Sequence, residues 1–137
     1  MKISMTRQND YHHWLATNET GAVLHLDGSP SIGGENKGFS PMESLVASLG
    51  GCSAIDMVSI LKKQRQIIED FEIELTADKI KVAEHTEFKS IALHLILTGD
   101  IDEKKVQKAL QLTKEKYCSV YFILSASTTI TYTYEIK

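Results

Sequence analysis

The stretch Ser40-Pro-Met-Glu43-Ser-Leu45-Val-Ala-Ser-Leu49-Gly-Gly51-Cys52-Ser-Ala-Ile55-Asp56-Met-Val-Ser-Ile60-Leu-Lys-Lys63 decides the reading of this chain. Ser40 and Glu43 have the Ser-x-x-Glu spacing in which hydroxyl and carboxylate each satisfy a backbone N–H that a helix start leaves unpaired. Pro41 suits the first helical position, where no N–H is needed. A helix therefore begins here and runs to the basic cluster Lys62-Lys63-Gln64-Arg65, whose charges suit a helix C-terminus. Its apolar residues, Leu45, Val46, Leu49, Ile55, Met57, Val58, Ile60 and Leu61, wrap almost all round, so it is expected to be buried at the centre of the fold or in a subunit interface. Gly50-Gly51 costs helix propensity and is expected to let another backbone come close, with Cys52 directly after it.

Outward from this helix, the N-terminal side reads as short antiparallel strands. Ile3 and Met5 alternate with polar neighbours, Trp14-Leu15-Ala16 forms a second segment, and Ala22-Val23-Leu24 follows the turn residue Gly21. Asp27 to Ser40 is rich in Gly, Ser, Asn and Pro and has no apolar period, which predicts a long loop. On the C-terminal side, Phe71, Ile73 and Leu75, then Ile91, Leu93, Leu95 and Leu97, repeat every second residue around a polar turn near Ala83 to Phe88, the pattern of a β-hairpin. Asp100 and Glu103 have N-cap and N3 spacing, and Val106, Ala109, Leu110, Thr113 and Tyr117 share one helical stripe, so a second helix is expected to end near Cys118. Ile130, Tyr132, Tyr134 and Ile136 alternate with polar residues as in a half-buried C-terminal strand. The class is α+β, in one domain over residues 1–137.

Composition narrows the function. A formal charge of −3, from 15 basic and 18 acidic residues, lacks the positive excess that polyanion binding needs, so no nucleic-acid partner is expected. Met1 to Arg7 has no signal-peptide core, and the apolar runs elsewhere are read as too short for a bilayer, so a cytoplasmic chain without a membrane partner is expected. Two cysteines do not make a secreted disulfide framework; in a reducing compartment they point to redox or catalytic thiols, or to packing, since a buried cysteine also behaves as a small hydrophobe. His12 and His13 alternate faces on a strand, and no Cys-x-x-Cys or His-x-x-x-His spacing occurs, so neither a metal nor a cofactor is expected. Asp56, one turn after Cys52, would oppose thiolate formation if ionised.

The segment Gly38-Phe-Ser-Pro-Met-Glu-Ser-Leu-Val-Ala-Ser-Leu-Gly-Gly-Cys52-Ser53, followed by Lys116-Tyr-Cys118-Ser-Val120, resembles the OsmC/Ohr-like family in order and spacing. The resemblance implies an OsmC-like fold and an intertwined homodimer with the long helices packed centrally and a cysteine pair in each interface pocket. It also implies thiol-dependent reduction of small organic hydroperoxides, with Cys52 peroxidatic, Cys118 resolving and an external thiol as reductant. Glu43 matches an acidic position of the family and is the candidate catalytic acid beside its capping role. Family peroxidases carry an arginine in the loop before the helix; aligning on Pro41 puts Ile32 near that position, and Met42 stands where Ohr-like members have a glutamate. His12, His13, Lys37 and Arg7 are the remaining candidate cations. The alternative function is a non-catalytic member that binds a small apolar ligand or senses redox state at the dimer interface.

Overall fold

The computed structural model describes all residues from Met1 to Lys137 and divides into two compact units, Met1–Leu45 and Val46–Lys137. In the first unit, β1 (Ile3–Arg7), β2 (Trp14–Asn18) and β3 (Val23–Leu26) form the expected antiparallel meander in the order β1-β2-β3. Asn18 closes the β2–β3 turn by accepting from the N–H groups of Thr20 and Ala22, and Gly21 takes a φ of 86°, a region open to glycine at little cost.

The glycine-rich segment after β3 is a loop, with one 3₁₀ turn at Pro30–Ile32, and it is organised from inside by Asp27. The buried Asp27 carboxylate accepts from the N–H groups of Gly28, Glu35 and Lys37 at 2.7, 3.1 and 3.0 Å. Those bonds, the one from Lys37 foremost, hold its carboxyl below the usual range. A Cβ at Gly34 would stand 1.8 Å from the Gly28 carbonyl oxygen, so the loop closes on itself only because that residue has none.

Helix α1 (Pro41–Lys63) starts where the capping box placed it: the Ser40 N–H donates to Glu43 at 2.8 Å and the Glu43 N–H donates to Ser40 Oγ at 3.2 Å. It ends in a Schellman motif, with the Gln66 N–H bonded to the Leu61 carbonyl, the Arg65 N–H to that of Lys62, and Arg65 at φ 60°. At 23 residues α1 is long and apolar enough, by length and composition alone, to cross a bilayer, which corrects the expectation that no segment was. Its burial also departs from expectation. Leu49, Ser53, Met57 and Leu61 form a single buried stripe at four-residue spacing, while Leu45 and Ile55 are 44% and 69% exposed.

In the second unit, β4 (Asp70–Val82), β5 (His85–Thr98) and β6 (Thr129–Ile136) form a sheet in the order β4-β5-β6, antiparallel across β4/β5 and parallel across β5/β6. The hairpin is longer than the apolar alternation suggested, because the backbone ladder carries His85 to Phe88 into β5 and leaves only Ala83 and Glu84 to turn. Ile91, Leu93, Leu95 and Leu97 of the central strand are at most 1% exposed and make the core, and α1 meets the same sheet where Ser53 bonds Tyr132. Gly50 meets the Leu75 side chain of β4, where a Cβ would lie 2.9 Å from Leu75 Cδ1. The close neighbour of the glycine pair is therefore a side chain rather than a backbone, and Gly51 faces open space.

Helix α2 (Glu103–Leu112) is capped by Asp102, whose carboxylate accepts from the Lys104 N–H at 2.7 Å, and not by Asp100. The helix widens into a π turn over Thr113–Tyr117, and the Cys118 N–H reaches back five residues to the Thr113 carbonyl. That extra residue shifts the stripe by one: Tyr117 is 47% exposed and Cys118 is fully buried in its place. A further helix, α3 (Ser119–Ser125), follows at once with Cys118 as its N-cap.

Candidate functional site

Cys52 and Cys118 lie 66 positions apart, and the packing of α1 beside the α2–α3 junction brings them together in the Val46–Lys137 unit. The sulfurs of Cys52 and Cys118 and a carboxylate oxygen of Asp56 all lie within 4.8 Å of one another. Both cysteines are free thiols. Cys52 is half-buried and Cys118 fully buried, so a small reagent meets Cys52 first.

Burial is the largest influence on Cys118 and pushes its thiol up to about 11; the hydrogen bond it shares with Cys52 acts in the same direction. The Tyr121 N–H at 3.4 Å and the Ser53 hydroxyl at 3.8 Å favour the thiolate but do not outweigh desolvation. Cys118 is thus held as a neutral thiol at ordinary pH. Ser53 Oγ also lies 3.0 Å from the Tyr132 hydroxyl, whose burial raises its pKa and keeps it a phenol. Lys114 Nζ stands 5.8 Å from the centre of the Tyr132 ring. In the sequence Ser53 and Lys114 have no assigned role of their own, and Tyr132 reads only as a residue of the half-buried C-terminal strand.

Asp56 is raised above the ordinary carboxyl range by desolvation, and its Oδ2 is buried without a hydrogen-bond partner. Burial favours its neutral form, so it opposes a nearby thiolate less than a solvated carboxylate would.

Glu43 occupies the first turn of α1, where its carboxylate is engaged by the Ser40 N–H. The four candidate cations all belong to the Met1–Leu45 unit. His13 Nε2 is 2.8 Å from His25 Nδ1 with the rings stacked, Lys37 is paired with Glu35, and Arg7 ends the exposed strand β1. His12 lines an apolar cavity of about 530 Å³ with Met5, Trp14, Leu26, Ile32 and Pro41. Ile32, near the family's arginine position, is thus part of an apolar wall.

Residues 34–133 match the family model described as OsmC-like protein. Protein YhfA of Escherichia coli (strain K12) is 40% identical over 124 residues, which cover 90% of this chain and 89% of that one. The crystal structure of a hypothetical protein from Aquifex aeolicus VF5 superposes with a TM-score of 0.85 at 29% identity, covering 99% of this chain and 95% of the other. An organic hydroperoxide resistance protein OsmC from Legionella pneumophila shares the fold, with a TM-score of 0.74 at 14% identity and coverage of 98% and 97%. With its capped cysteine helix, the order of its elements and the match over residues 34–133, the chain belongs to the OsmC-like protein family.

Proposed function

We propose that the chain is a two-cysteine redox protein that reduces small organic hydroperoxides at the expense of an external thiol in a reducing cytoplasm. The observation that carries this reading is the pairing of a half-buried Cys52 with a buried, neutral Cys118, their sulfurs within 4.8 Å. The Cys52 thiolate attacks one peroxide oxygen, the O–O bond breaks, and a proton completes the leaving alcohol, so that Cys52 is oxidised to the sulfenic acid. Cys118 then condenses with that sulfenic acid, forming the S–S bond and releasing water, and two equivalents of external thiol return the pair to its reduced state by exchange. Burial keeps Cys118 from competing for the peroxide; to attack the sulfenic acid it gives up its proton, which leaves with the sulfenic hydroxyl as water. Lys114, 5.8 Å from the Tyr132 ring, is the cation described in this cluster, and it supports a thiolate less than a directly paired arginine would, so the first step is expected to be slow beside that of a peroxidase whose thiol is paired with arginine.

The protein acts as a homodimer, a reading supported by Ile55, which is 69% exposed on the side of α1 away from its buried stripe in the single chain. Ile55→Glu is expected to turn a dimer into a monomer in light scattering; a wild-type chain that is already monomeric at micromolar concentration would refute the dimer.

The test of the chemistry is consumption of cumene hydroperoxide by the reduced protein with a dithiol reductant. Cys52→Ser is expected to fall to the rate of free thiol, and Cys118→Ser to complete one reduction without forming the disulfide. Wild-type consumption no faster than the reductant alone would refute it. A second reading, binding of a small apolar ligand, is favoured by the cavity of about 530 Å³ in the N-terminal unit. Quenching of Trp14, the only tryptophan and part of that cavity, by a long-chain fatty acid would reveal it.

A further inference from the structure

We propose that Cys52, Asp56 and Cys118, when both thiols are reduced, bind a thiophilic divalent cation of the zinc class. Three donors from two separate parts of the chain converge here, two sulfurs and one carboxylate oxygen, each within 4.8 Å of the others. Zinc holds sulfur at about 2.3 Å and carboxylate oxygen at about 2.0–2.2 Å, so a tetrahedral site needs donors roughly 3.5–3.8 Å apart. Closing the remaining gap takes about an ångström, within reach of side-chain torsions on fixed backbone.

The donor set selects the metal. Two thiolates favour zinc or a similarly soft cation and disfavour magnesium or calcium, which take oxygen ligands. Asp56 adds a second, independent indication: its Oδ2 is buried with no hydrogen-bond partner, leaving a polar atom that a cation would compensate. Around these donors, Ser53 Oγ lies 3.8 Å from Cys118 Sγ and is itself 3.0 Å from the Tyr132 hydroxyl, an outer layer that orients a ligand sulfur. Half-burial of Cys52 leaves one side of the cluster open, so the fourth position is expected to hold water or an external thiol, the arrangement of a reactive rather than a structural site. The sequence hides the site because its ligands have no short-motif spacing: Cys52 and Asp56 are one helical turn apart, and Cys118 arrives only through the π turn.

Binding requires reduced thiols but not hydroperoxide turnover, so the two proposals fail separately. The experiment is titration of Co²⁺ into the reduced full-length chain without oxygen. The expected result is a sulfur-to-cobalt charge-transfer band that saturates at one metal per chain and is abolished by Zn²⁺. Asp56→Asn, which keeps the shape of the side chain, is expected to weaken affinity by about tenfold or more while retaining the band at saturation. Cys52→Ser and Cys118→Ser are each expected to lose one of the two thiolate contributions. Labelling of the wild-type cysteines by a maleimide gives a readout that needs no variant, and Zn²⁺ is expected to slow it at both. No charge-transfer band, equal affinity in Asp56→Asn, or labelling indifferent to Zn²⁺ would each overturn the site.

Discussion

The two units meet the demand for burial in different ways. In β5 of the Val46–Lys137 unit, Ile91, Leu93, Leu95 and Leu97 are all essentially inaccessible. Every residue of β1 in the Met1–Leu45 unit is exposed, and Ile3, Met5, Val23 and Leu24 stay 41–60% accessible. One sheet builds a core of its own, while the other holds its shape through turns, the loop gathered on Asp27 and the capping box. Both thiols sit in the unit with the core, where rigid elements hold them at a set separation.

Truncating one side chain in each unit separates the two kinds of burial. Leu95→Ala is expected to cost about 2–5 kcal/mol in denaturant unfolding, independent of protein concentration. Val23→Ala is expected to stay within about 0.5 kcal/mol in dilute solution. Comparable losses at both positions would mean that the N-terminal sheet is as buried as the C-terminal one.

A smaller effect comes from pH. The Cys118 thiol is raised from 9.0 to about 11, so the folded state keeps its proton where the unfolded chain has lost it. That contribution to stability is complete below pH 9 and is lost as pH rises through about 11. Under reducing conditions the midpoint is expected to fall across this window, and the Cys118→Ser chain to fall less. An identical decline in both would place the titration elsewhere.

Two smaller changes fall within α1. Glu43→Ala removes half of the capping box and is expected to destabilise the fold by about 1 kcal/mol while leaving hydroperoxide consumption within about twofold. Loss of turnover with unchanged stability would give Glu43 the role of a catalytic acid. Asp56→Asn is expected to act in the opposite direction: a carboxyl raised by burial disfavours the fold as pH rises through its titration, so removing the ionisable group should raise the stability of the metal-free protein at neutral pH. Thermal melts at pH 4 and pH 7 would check the sign, since the gain should be smaller at the lower pH.

What was legible in the sequence was whatever depends on neighbours in the chain. The Ser40–Glu43 box, the N-terminal meander, the alternation of β5 and β6 and the motif around Cys52 are all local, and each appears in the structure. What was not legible depends on small backbone choices or on distant packing. Asp100 and Asp102 offer competing caps to one helix, and only the backbone decides between them. The π turn at Thr113–Tyr117 adds one residue to a turn, exchanging Tyr117 for Cys118 in the core, and no composition signal marks it. Helix α3 begins without an oxygen cap, since the sulfur of Cys118 fills that place. The all-round apolar pattern of α1 suggested full burial, yet the single chain covers only one stripe of it. Asp56 looked like an obstacle to thiol chemistry until burial showed its carboxyl shifted toward the neutral form beside both sulfurs.

Whether Cys52 and Cys118 act as one redox pair is decided by intact-mass analysis of the reduced chain after one equivalent of cumene hydroperoxide, without reductant and with free thiols blocked at quench. The expected result is loss of two hydrogens, no blocked cysteine and a peptide linking Cys52 to Cys118. A chain that keeps two blockable thiols, or one that gains oxygen without forming that link, would contradict it.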